Sequence, residues 1–495
     1  MEALPAVTLE GETVTLSDAS IRALQASMAG PLLRPGDEGY DQARAVWNGM
    51  IDRHPALIAR CRGVADVLAA VGFAREHDLL MSVRGGAHHV AGNAVCDGGL
   101  VVDLSLMRGV WPDPANHTVR VQGGVTWAEV DHETQAFGLA TAGGVVSDTG
   151  VAGLTLGGGL GWLRRTYGLS CDNLCSVDIV TADGELLRAS EAQNPDLFWA
   201  LRGGGGNFGV VTSFDFRLHP VGPTVPVAMT YYPLAAAQEV LGALREYAAQ
   251  APDEVSAMAS LVRIRASEAF PPETHGASCV VLSACWLGPM DQAQDALRPL
   301  REAGPRLLDA SGSMLFVDLQ RISDPGYPWG HNHYWKSIYL DELAPETIAL
   351  LAESMAECPS PASTVDIWHL GGAISRVRPE ETAFARRDHQ FLVSIEANWD
   401  EKERSAENVA WARTLWEKLR PYSNGGVYQN FPGFREESAT VARAAYGVNY
   451  DRLARVKAHY DPDNRFRINL NVEPATPGPG AEAVDGKTAR ASIAE

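Results

Sequence analysis

Three glycine-rich clusters and two strand-like segments hold most of the residues that could do chemistry. The first cluster reads Arg84-Gly85-Gly86-Ala87-His88-His89 and follows a short apolar run. The second spans 150–161, GVAGLTLGGGLG, and the third spans 203–209, GGGGNFG. Glycine permits positive φ and close backbone approach, and successive amides in such a turn form an anion nest. A diphosphate needs neutral donors of that kind, above all in an acidic chain. Any one cluster alone is also what a tight loop looks like. There is no GxxxxGK[ST] signature. GGGLG also lacks the spacing and the downstream acidic residue of a Rossmann turn.

The segment QFLVSIEANW alternates. Phe391, Val393, Ile395 and Ala397 share one face, and Ser394, Glu396 and Asn398 share the other. A polar face on such a strand opens either on solvent or on an active site. The segment VDIWHLGG puts Asp366 and Trp368 on one face and His369 on the other.

These residues need a scaffold. The region 1–47 reads as a helical lead-in, with Ser17 or Asp18 starting a helix that Gly30-Pro31 ends. From Pro55 strands and helices alternate. ALIARCR, LLMSVRG, GGLVVDLS and TVRVQGG read as strands, and VADVLAAVGFAREHD and TWAEVDHETQAFGL as helices. SVDIVTADGELL reads as a hairpin turning at Asp183-Gly184. DLFWALRGG is a short helix and GVVTSFDFRLHP a strand. Pro220, Pro223 and Pro226 mark a domain edge. Beyond it VAMTYYPL, SCVVLSACWLG, STVDIWHLGG and QFLVSIEANW read as strands, with helices near AAAQEVLGALREYAAQ and AENVAWARTLWEKLRPY. The tail 474–495, rich in Pro, Gly and Ala, reads as disordered.

Length and charge bound the function. The 495 residues allow several domains, and 46% hydrophobic with 21% charged residues is an ordinary globular balance. A net charge of −20 repels nucleic-acid backbones and anionic lipid, so neither is expected as a partner. No signal peptide or spanning segment is evident, which leads us to expect a cytoplasmic protein. The seven cysteines are scattered, Cys171 and Cys175 lack a second pair, and no metal site is expected. Nothing indicates the oligomeric state.

Taken together, VRGGAHHVAGNAVCDGGLVVDLS, GLTLGGGLGWLRRTYGLSCDNL, LRGGGGNFGVVTSF and YGVNYDRLARVKAHYDPDNRFRINLNV resemble the FAD-linked oxidases of the vanillyl-alcohol oxidase and p-cresol methylhydroxylase superfamily, within it the berberine bridge enzyme-like group. The resemblance runs from Asn48 to Glu473. It implies an α+β fold. A p-cresol methylhydroxylase-type (PCMH-type) FAD-binding domain of two α/β subdomains would cover 48–221. A C-terminal segment, 415–473, would complete it. A substrate domain with an antiparallel sheet backed by helices would occupy 222–414.

The resemblance also implies residue roles. FAD would be tethered through its 8α-methyl to His88, with His89 beside it. The place of a second, cysteinyl link holds Val146, so a single attachment is expected. Thr149 would lie over the reactive flavin edge, small enough to admit O2. Arg84, Gly85, Gly86 and Ala87, with Gly92, Asn93 and Gly144, would wrap the cofactor. Gly150, Gly153, Leu154, Gly157, Gly158 and Gly161 would do so from the second cluster. Asn173, Gly209 and Val210 would touch the adenine or the flavin edge, and Asn469 and Asn471 the isoalloxazine ring.

Oxidation of a substrate by flavin needs a base near its O–H, N–H or phenol. Glu396 leads, with Ser394 beside it. Asp366 and His369 are alternatives, and Tyr428, Asn430 and Tyr446 stand where relatives place substrate-facing groups. The expected activity is oxidation of a small molecule, an alcohol, amine or activated ring carbon, with O2 as acceptor and H2O2 as product. Rival readings are a flavin-N5-oxide oxygenase acting on a polyketide-like or aromatic substrate, an oxygen-inert dehydrogenase, and a non-catalytic flavin-binding protein.

Overall fold

The computed structural model describes residues 4–266, 268, 270–433 and 438–476. The chain opens with an antiparallel hairpin, β1 (Leu4–Val7) and β2 (Thr13–Leu16). Helix α1 (Asp18–Ser27) follows, capped by the Ser17 hydroxyl, which accepts from the Ser20 amide at 3.1 Å. The lead-in is therefore a hairpin plus a helix, not helix alone. Nor is it an appendage. Ala6, Leu16, Ile21 and Leu24 share one core with Leu57, Val67 and Val71.

That core belongs to the first sheet. Strands β3 (Leu57–Arg60), β4 (Met81–Arg84) and β5 (Leu100–Asp103) run parallel in the order β3-β5-β4, with Leu32–Leu33 paired on the β3 edge. Helix α2 (Val64–Glu76) crosses between β3 and β4. Parallel strands of this kind are buried on both faces, which explains their continuous apolar runs.

The second sheet is antiparallel. It comprises β6 (Val110–Asp113), β7 (Thr118–Gln122), β8 (Leu174–Val180), β9 (Leu186–Ser190) and β10 (Val210–Arg217), in the order β9-β8-β10-β7-β6. The β8–β9 hairpin turns at Asp183-Gly184, where Gly184 has φ 77°. Helices α3 (Trp127–Gln135), α4 (Val151–Leu156) and α5 (Pro195–Leu201) pack with this sheet.

The third sheet is large and antiparallel. Its main strands are β11 (Thr224–Pro233), β12 (Val255–Arg263), β13 (Ser278–Trp286), β14 (Asn332–Leu340), β15 (Thr364–His369) and β16 (Phe391–Trp399). They lie in the order β11-β13-β12-β15-β16-β14. Helices α6 (Ala237–Ala248), α7 (Ala293–Arg301), α8 (Pro345–Ala356) and α9 (Ser405–Leu419) cover one face around a single apolar core. Sequence periodicity did not reveal β12 or β14. In β14, NHYWKSIYL, rings and polar groups fall on both faces, so no clean polar–apolar alternation marks the strand.

One boundary, expected at 414/415, falls later in the chain. Helix α9 runs through position 415 and packs whole on the third sheet, with Trp416 Nε1 donating to the Ser337 carbonyl at 3.0 Å. The return to the first two sheets comes later, with α10 (Ser438–Tyr446) and α11 (Tyr450–Tyr460), which join the core of the second sheet. Of the tail expected to be disordered, residues from 477 onward lie outside the described residues. No helix among the described residues is long and apolar enough to cross a membrane.

Candidate active site

A long cleft runs between the first two sheets and the uncovered face of the third. Its floor begins where β4 ends. Gly85, Gly86, Ala87, His88 and His89 line it, and Ala87 sits in the left-handed region at φ 56°. The opposite wall is the second glycine cluster, through Gly150, Gly153, Leu154 and Gly157. The two walls nearly touch. A Cβ on Gly86 would lie 2.4 Å from the Gly150 nitrogen, and one on Gly150 would lie 2.4 Å from that of Gly86. Glycine is required at both positions by this approach.

His88 is held from three sides. Its Nε2 pairs with Asp148 Oδ1 at 2.8 Å. Trp47 stacks on it, with ring centroids 4.7 Å apart, and Trp329 meets it edge-on at 6.0 Å. Trp329 Nε1 in turn donates to Asp148 Oδ2 at 2.7 Å. Burial by itself would raise the Asp148 carboxyl, but the His88 contact and the Trp329 hydrogen bond hold it below its usual value. Trp47 also stacks on the His333 ring, at 3.6 Å and nearly parallel. His89 differs from its neighbour. Burial pushes its imidazole down to about 4, so it is neutral, and its Nδ1 accepts from the Ala91 amide at 3.2 Å.

The upper end of the cleft is formed by β15 and β16. Their register sets Thr364 opposite Glu396 and Asp366 opposite Ser394. Asp366 and Glu396 are thus diagonal neighbours on one face, both buried and both lining the cleft. Tyr327 donates to Glu396 Oε2 at 2.7 Å, and the Ser394 hydroxyl donates to Oε1 at 2.8 Å. Trp368 Nε1 donates to Ser394 Oγ at 3.1 Å. Burial raises both carboxyls above the ordinary range, and the Asp366 charge pushes Glu396 up further. A raised carboxyl is what general-base work near neutral pH requires.

Several expected residues meet here, and several do not. Asn93, Gly144, Val146, Thr149, Gly209, Asn469, Asn430, Tyr428 and Tyr446 line the cleft. His369 does not. Strand alternation turns it to the other face, where Nε2 pairs with Arg165 at 3.0 Å, and burial followed by the charges of Arg165 and Arg164 drives its basicity down. It is therefore withdrawn as a base. The two tyrosines reach the cleft but are not tuned as bases, because burial pushes both phenols up. Tyr428 accepts from Asn430 Nδ2 at 2.8 Å and the Gly159 amide at 3.2 Å, and Tyr446 donates to the Leu470 carbonyl at 3.0 Å.

Other residues assigned to the cofactor brace its walls without lining the cleft. The Arg84 guanidinium turns to the Ala45 carbonyl and lies near Asp103. Asn173 bridges the Tyr167 and Leu169 carbonyls and pairs with His219 at 2.7 Å. Gly92 packs on Ile51, Gly158 on the Phe384 ring and Gly161 on the Gly143 carbonyl. Val210 pairs with Val180 within the core, and Asn471 donates to Glu473 at 2.9 Å.

Sequence reasoning missed Trp47, Asp148, Tyr327, Trp329, His333 and Trp335. A signal existed. His333 and Trp335 fall two apart, which sets them on one face of a strand, whereas Tyr327 and Trp329 precede β14 and no period places them.

Comparisons with known proteins agree with this architecture. A family model described as FAD binding domain matches residues 55–190, and one described as berberine and berberine like matches residues 427–473. An FAD-linked oxidoreductase of Dictyostelium discoideum is 32% identical over 453 residues, covering 90% of this chain and 95% of that protein. (R)-6-hydroxynicotine oxidase of Paenarthrobacter nicotinovorans is 31% identical over 460 residues, covering 90% and 97%. Among solved structures, 6-hydroxy-D-nicotine oxidase of Arthrobacter nicotinovorans superposes with a TM-score of 0.80 at 28% identity, covering 91% of this chain and 99% of that one.

Proposed function

The chain belongs to the FAD-linked oxidoreductases of the berberine-like group, and on that premise we propose that it is an oxidase of a small organic substrate. The cleft suits FAD on three counts. Gly153 and Gly206 line the cleft with open space where a Cβ would stand, so the cradle is kept clear by glycine. The buried Asn469 Oδ1 at the cleft has no protein partner, so a polar ligand can satisfy it. No Lys or Arg side chain lines the cleft among the described residues, leaving a diphosphate to neutral donors such as backbone amides. Bound there, FAD would supply the two-electron acceptor for oxidation of the substrate carbon, with O2 as the final acceptor.

The protein's own residues supply the rest. His88 is the proposed tether, because Asp148 occupies its Nε2 and the Trp47 stack fixes the ring plane, leaving Nδ1 for the flavin. Val146 carries no sulfur, which supports a single link. Thr149 lines the cleft with a small side chain, which supports access by O2. Glu396 takes the substrate proton. Ser394 and Tyr327 orient its two oxygens and Asp366 keeps its proton affinity high.

The position of Glu396 carries this reading. With a reducing substrate found by screening for peroxide, Glu396→Gln should slow anaerobic bleaching of the flavin by about 10²–10⁴-fold, the range for loss of a general base. An unchanged rate removes Glu396 from the role. Peroxide should match product mole for mole, whereas labelled oxygen in the product without peroxide would replace the oxidase by an oxygenase.

A further inference from the structure

We propose that the upper end of the cleft is a cation subsite, in which Asp366 and Glu396, framed by Tyr327, Trp335 and Phe431, select substrates bearing a protonated amine. The inference rests on the oxidase reading for the substrate's place in the cleft and goes beyond it in naming the substrate class.

The charge inventory of the cleft is one-sided. Asp366 and Glu396 are buried neighbours on a single face, and no Lys or Arg side chain lines the cleft among the described residues. The two basic groups that do line it are otherwise engaged. His88 is paired with Asp148, and His89 is half-buried with its Nδ1 accepting from a backbone amide. Cations close to the sheet are also committed. Lys336 on β14 lies on the helix-covered side, over the Trp416 ring at 4.1 Å. Arg164 lies 5.3 Å over the Trp368 ring, but its nitrogens serve the carbonyls of Gly161, Ala257 and His369.

Buried carboxylates are strongly disfavoured without a partner. Tyr327, Ser394 and Thr364 give Glu396 neutral hydrogen bonds but no charge. Burial alone favours the protonated forms of Asp366 and Glu396, and a protonated amine would supply the positive charge that stabilises the pair ionised. The walls suit such a guest. Tyr327 and Phe431 each meet Trp335 edge-on, at 5.5 and 5.2 Å, so aromatic rings border the carboxyl pair, and ring faces attract ammonium groups. Carboxylate or phosphate substrates would find no cationic partner there.

The test uses the FAD-loaded protein under anaerobic conditions and follows the flavin visible band. Three probe series share one ring and differ in charge: benzylamine, phenethylamine and 3-phenylpropylamine; the corresponding alcohols; and the corresponding carboxylates. At least one amine should perturb or bleach the band at a concentration about 10-fold or more below its alcohol, the increment expected of a charge-assisted hydrogen bond. The carboxylates should be weakest. In Asp366→Asn the amine-to-alcohol ratio should collapse towards unity while flavin content is kept. Equal or better binding by the alcohols or carboxylates overturns the proposal, as does no response to any of the amines. The wild-type comparison decides the matter even if the variant fails to fold. A colourless protein would sink the oxidase reading itself. A coloured one in which Glu396→Gln slows reduction but amines have no advantage would sink only the cation subsite.

Discussion

Two side chains hold the chemistry in place, and each depends on neighbours that fix its state. Glu396 is raised first by burial and then by the charge of Asp366. A base works only when ionised, so the rate of flavin reduction should climb as pH rises through a limb displaced above the ordinary glutamate range. Asp366→Asn removes a negative neighbour and should move that limb to lower pH, and Glu396→Gln should abolish it. A stopped-flow pH series checks both, and a limb that Asp366→Asn leaves unmoved contradicts the coupling. His88 is the second case. Acid precipitation of the wild type should leave a yellow pellet, whereas His88→Ala should release all flavin to the supernatant. A yellow His88→Ala pellet would transfer the tether elsewhere. The neighbouring His89 is a poor substitute, because its Nδ1 already accepts from the Ala91 amide.

At the scale of elements, two turns from different subdomains form the cradle. The turn after β4 and the turn before α4 approach so closely that neither tolerates a Cβ. Gly86→Ala would set its Cβ 2.4 Å from the Gly150 nitrogen and 2.5 Å from its Cα, both backbone atoms that cannot swing aside. We expect a loss of about 1–3 kcal/mol from overpacking, together with reduced flavin content. Denaturant titration and the ratio of flavin to protein absorbance measure the two effects. Full occupancy at wild-type stability would show that the turns can part at no cost. The third sheet supplies a second lesson. Alternation in QFLVSIEANW placed Ser394 and Glu396 on one face, and their 2.8 Å hydrogen bond bears this out. The same rule turned His369 away from the cleft.

Across the whole molecule, buried ion pairs tie the sheets around the cleft. Arg387, on the segment between β15 and β16, grips Asp172 in bidentate fashion at 2.7 and 2.9 Å, and both side chains are buried. Asp172 precedes β8 of the second sheet, so the pair joins the second sheet to the third. Asp172→Ala strands the guanidinium and should cost about 3–5 kcal/mol, whereas an apolar replacement of both partners should recover most of it. A double-variant denaturation series decides this, and a single-variant loss within noise would show that water reaches the pair. A second buried pair lies within the C-terminal segment, and its lysine reaches the glycine-rich loop 203–209. Lys457 and Asp461 are fully buried at 2.7 Å, and Lys457 also donates to the Asn207 and Phe466 carbonyls.

The chain's own letters determined the class of fold, the family and the glycine cradle, because these depend on local rules: periodicity, turn chemistry and positions where a Cβ has no room. They also placed Glu396 and Asp366 on usable faces. Tertiary structure decided which groups those residues meet. Tyr327 reaches Glu396 across 69 positions, Asp148 reaches His88 across 60, and Trp47 stacks on both His88 and His333. Desolvation and Coulomb terms depend on what surrounds a group in space, and chain spacing does not encode that. The proton affinity of Glu396, the lack of cations along the cleft and the retreat of Asn173 and Asn471 from it could therefore be read only after the sheets had come together.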